Sequence, residues 1–387
     1  MIQNADNVLI IAGEKSGEEH CLSFFEELKN NLPQTEFWGV GGDELIQKGF
    51  KAFYHLRDFS SWGFSEVIGK IPFYYKALNR ITQTAIEKKT KVAILIDFQT
   101  FNLKLAARLR KVGVKVYYMV APQAWAWKSW RVKTLAENCE ELFTIIPFEK
   151  KWFKDRGVKQ TVSIDHPIWI RNQKFFKELD LRKDPIDLKT KKSINLLILP
   201  GSRNFEFQEL MPYFNEVVRK LKKTYPQLRS RLVFADSLNQ KKCESHLNEV
   251  DEIVGQEDLT ESLQNADLCL AASGTVTLNC GIFQLPTVVC YRSSLLNQAI
   301  YECFVNYKGP ISLNNIIHEQ KLFPELIQDD VEVDTIIKIL ENWIDDSKAY
   351  TFLIHELEKT KKLIQGEVSS LGDYLSERVE KVYEVHS

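Results

Sequence analysis

Five short stretches of the 387-residue chain place chemistry-bearing residues directly behind apolar runs. The first is "AGEKSGEEH" at 12–20. Gly13 and Gly17 permit a tight turn and close approach of a ligand. Ser16 and Glu19 fit S-x-x-E, a capping box at a helix start. The P-loop spacing G-x-x-x-x-G-K-[ST] is absent. The second is "LIDFQTFN" at 95–102, where an apolar run ends in Asp97. A carboxylate there suits a general base, or an N-cap for a helix beginning near Phe101. Asn102 fits a cap equally. The third is "APQAWAWKSWRVKTL" at 121–135, with three Trp beside Lys128 and Arg131. Stacking surface plus cations suits a sugar or nucleotide; ordinary aromatic packing is the alternative.

The fourth stretch, "ILPGSRNFEFQEL" at 198–210, moves from an apolar run through Gly201, Ser202 and Arg203 into a helical pattern. Free backbone N–H groups at a helix N-terminus favour an anion, and a guanidinium adds a planar fork suited to phosphate. A salt bridge from Arg203 to Glu206 is the alternative. The fifth, "LAASGTVTLNCGIFQLPTVVCYR" at 270–292, repeats the arrangement with Ser273, Gly274 and Thr275. Two such loops in one domain suit a nucleotide diphosphate, or are two independent helix caps. No D-x-D, H-E-x-x-H, G-x-S-x-G or G-x-G-x-x-G occurs, so neither a metal site nor a bound cofactor is expected.

These loops need strands to carry them. Apolar, β-forming runs recur at Val8–Ala12, Phe37–Val40, Val92–Ile96, Val116–Val120 and Leu142–Ile146, then at Ile194–Leu199, Arg231–Phe234, Leu268–Ala271 and Thr287–Tyr291. Continuous apolar strands alternating with helical stretches predict parallel α/β sheets, enough for two. The charged, proline-containing segment 177–193 reads as a linker. Domains are therefore expected at 1–176 and 194–350, with polar helices at 351–387 that can cross back to the first domain. Ligands in such sheets bind beyond the carboxyl ends of the strands.

Charge balances at 51 Lys and Arg against 52 Asp and Glu, which removes a general polyanion field and disfavours nucleic acid. Seven Cys without a C-x-x-C pair fit buried, reduced thiols of a cytosolic protein. No basic n-region with a long apolar h-region opens the chain, and no 18-residue uncharged apolar run exists. The oligomeric state is not fixed by the sequence; a homodimer is compatible with it.

Together the motifs "AGEKSGEEH", "WGFSEVIGKIP", "DFQTFNLKLAARLRKVGVKVYYMVAPQAWAWKSWRV", "IPFEKKWF", "LPGSRNFE", "ASGTVTLNCGIFQLPTVVCYR" and "ISLNNII" resemble, in order, those of the lipid-A-disaccharide synthases, over about residues 8–330. The resemblance implies a GT-B fold of two Rossmann-like domains facing a central cleft. It implies an inverting transfer, without a bound metal, from UDP-2,3-diacylglucosamine to 2,3-diacylglucosamine 1-phosphate, giving a β(1→6) disaccharide 1-phosphate and UDP. It implies work at the inner face of the bacterial inner membrane, as a peripheral protein. Asp97 matches the family's catalytic aspartate. Gly201, Ser202, Arg203, Ser273, Gly274, Thr275 and Asn279 fall on the UDP side, and Glu14, Ser16, Gly17, Asn102 and Asn315 on the substrate-binding side.

The chain departs from the family pattern at Thr100, usually Asp; Asn279, usually Glu; Asn314, usually Pro; and Asp165, usually Gly. Two other functions compete: another UDP-N-acetylglucosamine enzyme of the same fold, and a lapsed paralogue that only binds nucleotide or lipid. Acylated substrates also require approach to a bilayer. In 62–80, Phe64, Val67, Ile68 and Ile71 recur at helical spacing, Pro72 ends or restarts the helix, and Phe73 follows beside Lys70, Lys76 and Arg80. That composition fits an interfacial segment, or an amphipathic helix packed into the first domain.

Overall fold

The structure is a computed structural model and describes residues 6–59, 69–126, 129–178, 187–239, 243–292 and 309–384. It divides into two compact units, residues 1–173 with 364–387, and residues 174–363. The division falls inside the first expected domain's last helix rather than at a separate linker. Within 177–193 the described part includes a single 3-10 turn, Leu188–Thr190, whose Leu188 is buried. The expected tail at 351–387 is shared between the units.

The first unit is built on seven parallel strands: β1 (Asn7–Ala12), β2 (Glu36–Gly41), β3 (Lys51–His55), β4 (Val92–Ile96), β5 (Lys115–Met119), β6 (Glu141–Thr144) and β7 (Thr161–Ser163). Their spatial order is β3-β2-β1-β4-β5-β6-β7. β1 and β4 pair in register from Val8↔Val92 to Ala12↔Ile96 and are buried throughout, which explains their unbroken apolar sequences. Helices α1 (Lys15–Asn31), α2 (Ile71–Glu87) and α3 (Gln99–Lys111) belong to this unit.

The second unit has six parallel strands: β8 (Ile194–Leu199), β9 (Leu228–Val233), β10 (Glu252–Val254), β11 (Leu268–Ala272), β12 (Thr287–Tyr291) and β13 (Glu325–Ile327), ordered β10-β9-β8-β11-β12-β13. The helices used below are α4 (Asn204–Thr224), α5 (Leu259–Asn265), α6 (Val276–Ile282) and α7 (Leu313–His318). The chain then returns to the first unit in α8 (Leu371–Glu384). There Leu371, Leu375, Val379 and Val382 form a helical stripe packed in one core with Cys21, Phe24, Phe25 and Leu28 of α1.

Both sheets therefore reverse their strand order once, between β1 and β4 and between β8 and β11. Parallel α/β sheets hold ligands at such reversals, beyond the carboxyl ends of the strands. The loops beginning at Gly13, Asp97, Gly201 and Ser273 occupy those four positions.

Candidate functional site

In the first unit β1 turns into α1 within two residues. A Cβ on Gly13 would lie 2.7 Å from the Phe98 ring, so glycine is required for the two loops to approach. Glu14 is the N-cap residue and makes no side-chain capping bond. The expected capping box does not form: the helix starts at Lys15, which puts Ser16 inside it, and Glu19 pairs instead with Arg171 at 2.7 Å. The helix begins two residues earlier than the motif assumes, with Glu14 rather than Ser16 as the N-cap.

Asp97 and Phe98 both adopt left-handed backbone, with φ of 46° and 43°. Val120, directly after β5, does so at 60°, which is a genuine outlier for a β-branched residue. Three side chains fasten the Asp97 turn. Tyr118 Oη donates to the Asp97 carbonyl at 2.9 Å. Asn102 Nδ2 donates to the same carbonyl at 2.9 Å and to that of Ile96 at 3.1 Å. Arg131, buried, donates to Gln99 Oε1. Asn102 is thus fully buried and clamps the turn under the site.

Burial raises the Asp97 pKa against a backbone hydrogen bond from Phe98 that lowers it. Glu14 is also raised, by desolvation and then by the charge of Asp97. The two carboxylates therefore sense one another, and a proton is held more readily here than on an exposed acid. Along the same edge Glu149 is buried, accepting from Trp125 Nε1 at 3.0 Å and from Ile146 N at 3.3 Å. Burial pushes its pKa up to about 7. Of the three Trp, Trp125 packs edge-on against Phe148, Trp130 is 62% exposed, and Trp127 lies outside the described residues with Lys128.

In the second unit the two glycine loops line one cavity of about 310 Å³. Gly201, Ser202, Ser273, Gly274, Thr275 and Asn279 all border it, as the sequence places them. Gly201 has φ of +99°, and a Cβ there would meet Glu206 Oε2 at 2.5 Å. Gly274 differs: an added Cβ meets nothing within 4 Å, so packing does not demand glycine and the backbone stands clear for a ligand. Ser273 Oγ donates to the Ile311 carbonyl at 3.1 Å, and Thr277 Oγ1 to that of Gly274 at 2.7 Å, which fix the loop. Arg203 is 80% exposed on its side chain and pairs with Glu206 at 2.8 Å; Glu206 borders the cavity. Gln256 and Leu259, behind β10, also border it. They carry no local signal, and only the topology brings them there.

Asn315 is held by its neighbours, as Asn102 is. It is fully buried, donates from Nδ2 to the Phe323 carbonyl and Glu325, and accepts at Oδ1 from Phe323 N at 2.9 Å. Both of its N–H donors are spent bracing α7. Two departures from the family pattern have local partners. Asp165 Oδ1 accepts from Gly366 N at 2.7 Å, pinning the returning chain to the first unit. Asn314 accepts from Thr360 Oγ1 at 3.4 Å and packs against Gly281, where any Cβ would collide with it. Thr100 is exposed on α3, and nothing in the structure explains it.

Of the proposed membrane residues, Phe64, Val67 and Ile68 lie outside the described residues. Pro72 sits in the first turn of α2, where its missing N–H is harmless. Ile71 is 45% exposed. Phe73 instead points inward, edge-on to Phe59 at 5.2 Å and Tyr54 at 5.9 Å, because the aromatic cluster of the first unit accepts it. Among the described residues no helix is long and apolar enough to cross a membrane.

The lipid-A-disaccharide synthetase family matches this chain over residues 8–379. The chain belongs to that family. Lipid-A-disaccharide synthase of Francisella tularensis subsp. novicida is 29% identical over 376 residues, covering 96% of this chain and 99% of that enzyme. Solved structures share the fold at low identity. A UDP-N-acetylglucosamine 2-epimerase superposes with a TM-score of 0.59 at 10% identity, covering 99% of this chain and 98% of its own. The calicheamicin glycosyltransferase gives 0.57 at 11%, covering 99% of each. The fold is GT-B, and the protein is a glycosyltransferase of lipid A disaccharide formation. Members of the lipid-A-disaccharide synthetase family thus provide the frame for assigning roles to the two sets of loops.

Proposed function

We propose that the chain joins UDP-2,3-diacylglucosamine to 2,3-diacylglucosamine 1-phosphate, with acceptor chemistry in the first unit and donor chemistry in the second. The observation that supports this most is the placement of Asp97: a carboxylate of raised pKa, at the strand reversal, on a turn held by Tyr118 and Asn102. Inversion at the anomeric carbon needs one in-line attack. The acceptor 6-hydroxyl oxygen forms the new bond, the bond to UDP breaks, and the hydroxyl proton passes to Asp97 as general base. Glu14 stands beside it and, with Gly17, faces the sugar.

The leaving UDP takes negative charge as the bond breaks, and the second unit supplies its relief. Backbone N–H groups of the Gly201–Ser202 loop at the start of α4, and the open Ser273–Thr275 turn, contact the pyrophosphate, while Asn279 takes the ribose. Arg203 exchanges Glu206 for phosphate. An exposed pair of that kind is worth about 0–1 kcal/mol, so a charge-assisted bond to phosphate displaces it readily. Acyl chains reach the site from a bilayer contacted by the exposed face of α2, where Ile71 and Tyr75 stand beside Lys76, Arg80 and Lys104.

The test is direct. Purified protein with both acylated sugars in detergent should yield UDP and disaccharide 1-phosphate by mass spectrometry. UDP binding without turnover on that pair removes the transferase reading of this chain. Efficient use of unacylated UDP-N-acetylglucosamine removes the acyl-sugar assignment.

A further inference from the structure

The second unit contains another cavity, about 280 Å³, at the amino end of its sheet. The cavity lies between α5 and the sheet face. Strand register shows which side chains share that face: Asn195 pairs with Arg229, Leu197 with Arg231, and Arg231 with Glu252. A parallel sheet face under a helix is ordinarily apolar. Here it presents an asparagine and two arginines, and all of these residues border the cavity.

The charges there are unequal in their partners. Arg231 pairs with Glu252 at 2.7 Å and Glu261 at 3.8 Å, and Asp251 with Lys222 at 2.8 Å. Arg229 donates only to the backbone carbonyls of Pro226 and Leu228, at 3.3 and 3.2 Å, and forms no ion pair with a described residue. Ser262 of α5 also borders the cavity; it is 2% exposed, and its Oγ has no hydrogen-bond partner among the described residues. Leu197 and Ala266 add apolar wall. An unpaired guanidinium, an orphaned buried hydroxyl and an apolar wall around one void match a small oxyanion on an apolar body.

The segment that roofs this cavity also reaches the donor cavity. Leu259, the first residue of α5, and Gln256, in the 3-10 turn just before it, border the donor cavity; Ser262 and Asn265 of α5, and Ala266 just after it, border the second. A seven-residue helix cannot shift at one end alone. We propose that the second cavity binds a small oxyanion-bearing molecule and that its occupancy changes nucleotide affinity through α5. The coupling half rests on the donor-cavity reading above.

Calorimetry on the full chain tests both halves with two probes, hexanoate and inorganic phosphate. Binding of either probe is expected, with hexanoate tighter if the apolar wall contributes. Arg229→Gln, at an exposed position, should weaken the probe about tenfold or more while leaving the melting temperature and probe-free UDP binding unchanged. Saturating probe should change the UDP dissociation constant of wild type about fivefold, and not that of Arg229→Gln. Ser262→Ala should bind the probe more weakly without melting lower, because the hydroxyl it removes has no partner. No binding of either probe, or equal binding in Arg229→Gln, overturns the site. A lower melting temperature in Ser262→Ala shows the hydroxyl already satisfied and overturns its assignment to a ligand. Probe binding with an unchanged UDP constant overturns the coupling alone. Wild type that fails to bind UDP without probe overturns the donor-cavity reading and, with it, the coupling, while the probe titrations still decide the second cavity.

Discussion

The two units share a strand order and place their loops after equivalent strands, yet they hold those loops by opposite means. In the first, non-glycine residues are forced into left-handed backbone at Asp97, Phe98 and Val120, and buried side chains lock the turn from below. Such positions cost of order 1–3 kcal/mol each and persist only where the surroundings over-determine them. In the second, the positive φ of the paired loops falls on Gly201, Gly274 stands in open space, and Arg203 is exposed. A base must be aimed once and kept there. A nucleotide must enter and leave, so its loops are left accessible and lightly tied.

Five measurements break or sharpen that contrast. Asp97→Asn should lower turnover by ~10²–10⁴, the usual worth of a general base, with UDP affinity unchanged. A variant keeping more than about a tenth of wild-type turnover takes Asp97 out of that role.

Glu149 extends the contrast to pH. Its folded pKa of about 7 lies above the ordinary 4.5, so the native state binds more protons than the unfolded state between those values. Its contribution to stability is therefore full below about pH 4.5 and is lost as pH rises through 7, by up to roughly 3 kcal/mol at ~1.36 per pKa unit. Urea denaturation at pH 5 and pH 8 should show wild type losing stability relative to Glu149→Gln, which cannot titrate there. A gap between the two proteins that stays constant with pH would place the proton elsewhere.

Arg203→Ala should weaken UDP by roughly 1.5–3 kcal/mol and uridine far less, since uridine lacks phosphate. Equal losses in calorimetry would make Arg203 a partner of Glu206 and nothing more. Tyr118→Phe removes one bond to the Asp97 carbonyl, worth about 1 kcal/mol. It should lower kcat roughly fivefold with little change in KM for the donor; a fall in donor affinity instead would mean the turn does not act through Asp97. The smallest effect is expected at Gly274→Ala, with a change in stability within about 0.5 kcal/mol, as an open position allows. UDP binding should nevertheless weaken, because the methyl fills ligand space. A large drop in melting temperature would show the loop to be as tightly determined as the Asp97 turn.

The amino-acid sequence by itself determined the interior of both sheets and the loops that follow. All nine apolar runs fall on interior strands, because a strand paired on both edges is apolar wherever both faces are covered; the run at 231–234 meets only the second half of β9, whose Arg229 and Arg231 border the amino-end cavity. Gly13, Asp97, Gly201 and Ser273 were legible for the same reason: each is where such a run stops. Only the tertiary structure decided the rest. The four strands missing from the sequence reading, β3, β7, β10 and β13, are the four sheet edges, paired on one side only and therefore free of that constraint. The inward turn of Asn102, Asn315 and Phe73, and the return of α8 to α1, rest on partners that are local for Asn102 and Asn315 but far apart in the chain for Phe73 and α8. A polar or aromatic residue carries the same local signal whether it faces a ligand or a neighbouring carbonyl. Which of the two it meets is settled by burial, and burial is a property of the packed chain.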